Sequence, residues 1–133
     1  MEKLFNAVSA SAGIAGGLLA AVFGGWDALE GALLTLMVID YISGVVKAVY
    51  KKELSSSTGF EGILKKVMIM LVLAAACSVE RAIGAEGLRE IVITFFAANE
   101  AISILENAAE ILPNMPDKLK DILLQIRNGG GNK

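Results

Sequence analysis

Long apolar runs, separated by short polar breaks, fill most of this chain. They read as four helical segments at about residues 4–25, 28–50, 63–84 and 88–112. Each is long enough, at about 1.5 Å per helical residue, to cross a hydrocarbon layer of ~30 Å. Trp26-Asp27 marks the first turn and Gly84-Ala85-Glu86-Gly87 the third. Lys51–Gly62 (KKELSSSTGFEG) reads as the longest polar loop, with serine and glycine as breakers. Pro113 and Pro116 end the fourth segment, because neither has the N–H that would continue a helix. Residues 115–127 (MPDKLKDILLQIR) then place Leu119, Ile122, Leu123 and Ile126 at helical spacing, which predicts a short amphipathic helix. The tail 128–133 is expected to be flexible. The pattern predicts an all-α integral membrane protein. Residues 1–127 would form a single membrane domain of about four apolar helices, the first of them marginal.

Composition supports this. The chain has 133 residues, 55% of them hydrophobic, and mean hydropathy is +0.62. A soluble domain this short leaves too much of its surface exposed to hide that much apolar material. The net charge of −2 carries no message about nucleic acid. Cys77 is the single cysteine, which excludes an internal disulfide and reads as a small apolar packer. With no histidine, the commonest metal ligand and general base is missing. There is no phosphate-cradling loop and no catalytic constellation, so neither an enzyme nor a cofactor is expected. The start of the chain has no basic stretch before a strong apolar core, so no cleaved signal peptide is expected.

The polar residues inside the apolar runs are the informative ones. Asp40 lies within Ala32–Val49 and Glu100 within Ile91–Leu105. An ionised group at that depth costs at least ~2.5 kcal/mol on insertion scales unless water or a partner meets it. Asp40, Gly44, Lys47 and Lys51 share one stripe of the second helix. Gly44 lets a neighbour approach beside the carboxylate, and Lys47 can extend toward the interface. Asp40 is either a buried acceptor that fixes helix packing or an acid lining a pore. In the fourth segment Arg89, Asn99, Glu100, Ser103, Glu106, Asn107 and Glu110 are expected on one face. Ile91, Ile93, Phe95, Ala98, Ile102, Leu105 and Leu112 are expected on the other. Such a polar face packs on polar partners, lines water, or lies in the membrane interface, since hydrocarbon cannot solvate it. Glu80 and Arg81 read as interfacial anchors of the third segment.

The first segment is rich in small residues. Ser9, Gly13, Gly17, Ala21 and Gly25 recur every four positions. This is a ridge that permits close helix approach in lipid, unless it merely reflects a glycine- and alanine-rich composition. The same glycines lower helix propensity and make insertion marginal.

Orientation follows the lysines. Lys47, Lys51, Lys52, Lys65 and Lys66 crowd the second turn, Lys47 as an intramembrane polar residue beside Asp40 and the other four as interfacial charges, whereas the first turn has no basic residue. A lysine-rich cytoplasmic loop with four spans places both termini in the cytoplasm.

A resemblance emerges from the order of these residues. A mid-span Asp40 is followed by Gly44, then by Ser55-Ser56-Ser57-Thr58-Gly59-Phe60-Glu61-Gly62-Ile63-Leu64-Lys65-Lys66. An acid, Glu80, comes late in the third span, then Asn99, Glu100, Ser103, Glu106 and Asn107, then a proline-containing short helix. Over residues 30–127 this resembles the toxin-secretion/phage-lysis holins of Gram-positive bacteria and their phages. Glu80 stands where that pattern has aspartate. The resemblance implies a small protein of the bacterial cytoplasmic membrane that self-associates into lesions. These let an endolysin or toxin leave the cell without necessarily binding it. The partners implied are membrane lipid and other copies of the chain, which would satisfy polar groups that one copy cannot. Two alternatives from other classes stay open. One is a small ion or cation transporter using Asp40, Glu80 or Glu100. The other is an inert accessory subunit.

Overall fold

The computed structural model describes residues 1–129 and contains five helices among them. These are α1 (Glu2–Phe23), α2 (Ala28–Lys51), α3 (Ser56–Ile83), α4 (Leu88–Ala109) and α5 (Asp117–Arg127). Residues 130–133, the end of the tail expected to be flexible, lie outside the described residues.

The helix ends follow local chemistry. Asp27 caps α2 by accepting the Glu30 backbone N–H at 3.0 Å, as a side-chain oxygen at this position does. Ser55 does the same for α3 with Thr58 N–H. Gly24 and Gly84 close α1 and α3 in the left-handed conformation, at φ +76° and +68°, where a glycine avoids the Cβ clash.

By length and composition α1, α2 and α3 can each cross a membrane. α1, expected to be marginal, is among these three, whereas α4, expected as a fourth span, is not. Most large apolar residues face outward, including Ile42, Val46, Leu64, Met68, Leu71 and Phe95. That is the surface of a protein whose solvent is lipid. The interior is small: Phe23, Leu33, Met37, Ile69, Leu73, Cys77 and Ile93 form one cluster. Cys77 sits within it as an apolar packer, its Sγ 3.7 Å from the Phe23 carbonyl oxygen.

α4 is the hub, packing on α2, α3 and α5. α1 packs on α3 through its last turn, which buries Phe23, and nearly all the rest of its length is exposed. No atom lies within 4 Å of a Cβ built on Gly13, Gly16 or Gly17. The small-residue ridge thus has no partner among the described residues.

Two expectations are corrected. Lys51–Gly62 is not a long loop, because α3 already begins at Ser56. Its glycines serve packing instead. Tyr41 of α2 lies across them, its Oη 3.2 Å from a Cβ built on Gly59 and its ring 3.4 Å from one built on Gly62. The expected division of α4 into two faces also fails at Ile93. Ile93 follows Arg89 by four residues and precedes Glu100 by seven, so all three share the buried stripe.

Candidate polar site between the helices

Because α3 begins at Ser56, Lys66 stands nearly three turns inside it rather than at its entrance. This corrects the expectation that Lys66 is an interfacial charge. Its ammonium turns into the bundle and pairs with both Asp40 of α2 and Glu100 of α4. The three side chains are 18%, 12% and 6% exposed, so the charges compensate each other away from bulk water. Asn107 extends the cluster by one further contact layer. Its Nδ2 donates to Ser43 Oγ at 2.9 Å and to Asp40 Oδ1 at 3.3 Å. Gly44 makes this possible: a Cβ there would lie 3.7 Å from Nδ2 of Asn107, so any longer side chain would displace the amide.

The cluster holds one ammonium against two carboxylates. It also forms part of the wall of a cavity of about 520 Å³ between α2 and α3. Lys47, Glu53, Ser55, Thr58, Lys65 and Ser103 line the same cavity, which joins the lysine-rich turn to the buried charges. Lys51, at that end, pairs with Glu110 at 3.2 Å. Lys52 takes the left-handed cap conformation of α2, φ +58°.

A second charge cluster holds the opposite end. Arg89, at the start of α4, reaches Asp27 at 3.0 Å, Glu30 at 2.8 Å and the Phe23 carbonyl at 3.2 Å. Glu30 is 1% exposed; its Oε1 meets Arg89 as a charge contact without hydrogen-bond alignment, and Oε2 has no partner among the described residues. The Arg89 guanidinium, helped by the Glu30 N–H, holds the Asp27 carboxyl below its ordinary range. Glu80 accepts the Arg89 backbone N–H at 3.3 Å, and Arg81 donates to the Val22 carbonyl at 3.0 Å. Both were expected as anchors to the membrane interface; here both tie helices together.

Two further polar positions of α4 meet α5. Arg127 donates to Asn99 Oδ1 at 3.1 Å, and Lys120 lies 4.0 Å from Glu106. One copy of the chain therefore supplies partners for Asp40, Glu100, Asn99, Glu106 and Asn107. The expectation that only neighbouring copies could do so is corrected: α2, α3 and α5 do it.

Sequence reasoning found Asp40, Glu100 and Asn107 but missed that Lys66 joins them and that Arg89 organises the far end. The signal for Lys66 was present. Ser55 followed by Ser-Ser-Thr is an N-cap pattern, and counting the helix from there buries position 66.

The model of the bacteriophage holin family matches residues 17–128. A probable holin of Bacillus phage phi105 is 34% identical over 102 residues, covering 76% of each chain. An uncharacterised 14.9 kDa protein of Clostridium perfringens is 38% identical over 130 residues, 96% of this chain and 98% of its own. An uncharacterised protein of Listeria monocytogenes is 40% identical over 110 residues, 82% of this chain and 79% of its own. No solved structure matches the chain. These similarities give no support to a transporter. The match runs from the last two turns of α1 through α5 and takes in the buried polar cluster: this chain belongs to the bacteriophage holin family.

Proposed function

We propose that the structure is the resting form of this holin, and that its lesion forms when several copies turn the α4 polar stripe from one another's lipid toward shared water. One observation carries this reading: Glu100 and Asn107 are 4% and 7% exposed inside a chain whose outer surface is apolar. Such a chain dissolves in lipid as single copies, because the buried polar groups of its α4 stripe find partners within it. The same groups are the ones able to face water once the bundle opens. In the open form Asp40, Lys47, Asn99, Glu100, Ser103, Glu106 and Asn107 line the water. The ridge at Ser9, Gly13, Gly17 and Ala21, free along α1, is where copies approach closely.

The membrane is the bacterial cytoplasmic membrane, with both termini on the cytoplasmic side. The lysine-rich end, carrying Lys47, Lys51, Lys52 and Lys65, is then inside; Asp27, Glu30, Glu80 and Arg89 lie outside. The cargo is a cell-wall-degrading enzyme or a toxin, which passes without being bound.

The test expresses the chain with and without a cytoplasmic muralytic enzyme while turbidity is followed. The reading predicts an abrupt fall in turbidity only when both are present, with whole proteins in the medium. Saturable leakage of small ions alone would contradict it.

A further inference from the structure

α5 meets α4 through polar contacts in a repeating register. Lys120 faces Glu106, and seven residues later Arg127 faces Asn99, which precedes Glu106 by seven. Equal steps in opposite directions mean that α5 runs antiparallel along α4, two turns per contact. Leu123, Leu124 and Arg127 are half-buried, while Leu119, Ile122 and Ile126 remain exposed.

We propose that α5 is a strap: it holds Asn99 and Glu106 of α4 in the resting chain, and its release frees this stripe for the lesion. The inference rests on the lesion reading above and assigns the regulation of that same site. Three observations support it. The contacts are easily broken, since Lys120 and Glu106 are each about half exposed, 49% and 57%, and exposed pairs hold weakly. The connection is built as a hinge, residues 110–116, with Pro113, Pro116 and a left-handed Asn114 at φ +66° stopping α4 from running into α5. The released helix has a place to go. Leu119, Ile122 and Ile126 lie within two turns on one side, suited to the membrane interface, with Lys118, Lys120 and Arg127 available to lipid headgroups.

The test locks the strap reversibly. In a Cys77→Ala chain, Glu106→Cys and Lys120→Cys are bridged by a short bis-methanethiosulfonate reagent that dithiothreitol cleaves. The protein is reconstituted in phosphatidylglycerol-phosphatidylethanolamine vesicles holding a fluorescent protein. Release should fall to background when bridged and return on reduction. Release at the unbridged rate while bridged overturns the strap. If the unbridged and reduced chains both release nothing, whereas the Cys77→Ala parent does, α4–α5 pairing is needed for the lesion itself and the strap is again overturned. No release from the parent overturns the lesion reading and the strap with it. A charge swap supplies a second measurement: Glu106→Lys should advance lysis, and adding Lys120→Glu should restore its timing. Identical onset in the single and double variants also overturns the strap.

Discussion

Lys66 of α3 pairs with Glu100 of α4, 34 residues further along the chain, and this contact ties the helix entering from the lysine-rich turn to the helix with the polar stripe. Removing one partner of a buried ion pair leaves the other charge uncompensated, at about 3–5 kcal/mol. Lys66→Met should therefore destabilise the protein in detergent by roughly 3 kcal/mol. Combining it with Asp40→Asn and Glu100→Gln should recover most of the loss. Thermal unfolding of the single and combined variants measures both. Glu100→Gln alone should leave membrane insertion normal and shift the onset of lysis, as immunoblots of membrane fractions and turbidity traces would show.

Gly44 faces Asn107 with room for a methyl group and no more. Gly44→Ala should be nearly neutral. Gly44→Leu should force α2 from α4, at about 1–3 kcal/mol for overpacking. Trimming the opposing residue with Asn107→Ala should recover part of that loss, because the leucine then fills the space left. The comparison uses urea or heat unfolding of the four variants in one detergent.

Asp27 ties the turn between α1 and α2 to Arg89. Its folded-state pKa lies below the unfolded value, so the contact contributes stability above the unfolded carboxylate pKa. That contribution is lost as pH falls through the folded value. Acid titration below about pH 4 should weaken the hold on this turn. Asp27→Asn should lack that part of the acid sensitivity while remaining folded at neutral pH. Fluorescence of the neighbouring Trp26, followed against pH in both proteins, measures the difference.

The ridge on α1 has no partner among the described residues, so its variants separate assembly from folding. Gly13→Leu with Gly17→Leu should leave the bundle stable and the protein at least as well retained in membranes, since each leucine favours insertion. Oligomers should be weaker and lysis later. Cross-linking at matched membrane levels, together with turbidity, checks both.

Much of this molecule was legible in its sequence. Periodicity located every helix, because apolar runs in lipid need no partner to be recognised. Asp40, Glu100 and Asn107 stood out because polar groups inside such runs demand an explanation. Their partners were harder to see. Lys66 was read as interfacial because Ser55–Gly62 looked like loop; glycines at 59 and 62 receive Tyr41, a contact between helices that no local pattern announces. Arg89 was placed only on the polar face of the fourth segment, whereas its shortest charge contacts are to Asp27 and Glu30, about 60 residues earlier. Ile93 was placed on the wrong face because apolar and charged residues share the buried stripe of α4, which a simple two-sided wheel cannot represent.

The central claim is that α4's polar stripe is hidden in the resting chain and wet in the lesion. Asn107→Cys in a Cys77→Ala background tests it directly, with Ser57→Cys as an exposed reference. Vesicles carry a membrane-impermeant maleimide on both sides, and labelling is timed before and after release of a trapped protein. The account predicts slow labelling at position 107 before release and, afterwards, labelling as fast as at position 57. Labelling that stays slow at position 107 while the trapped protein escapes would contradict it.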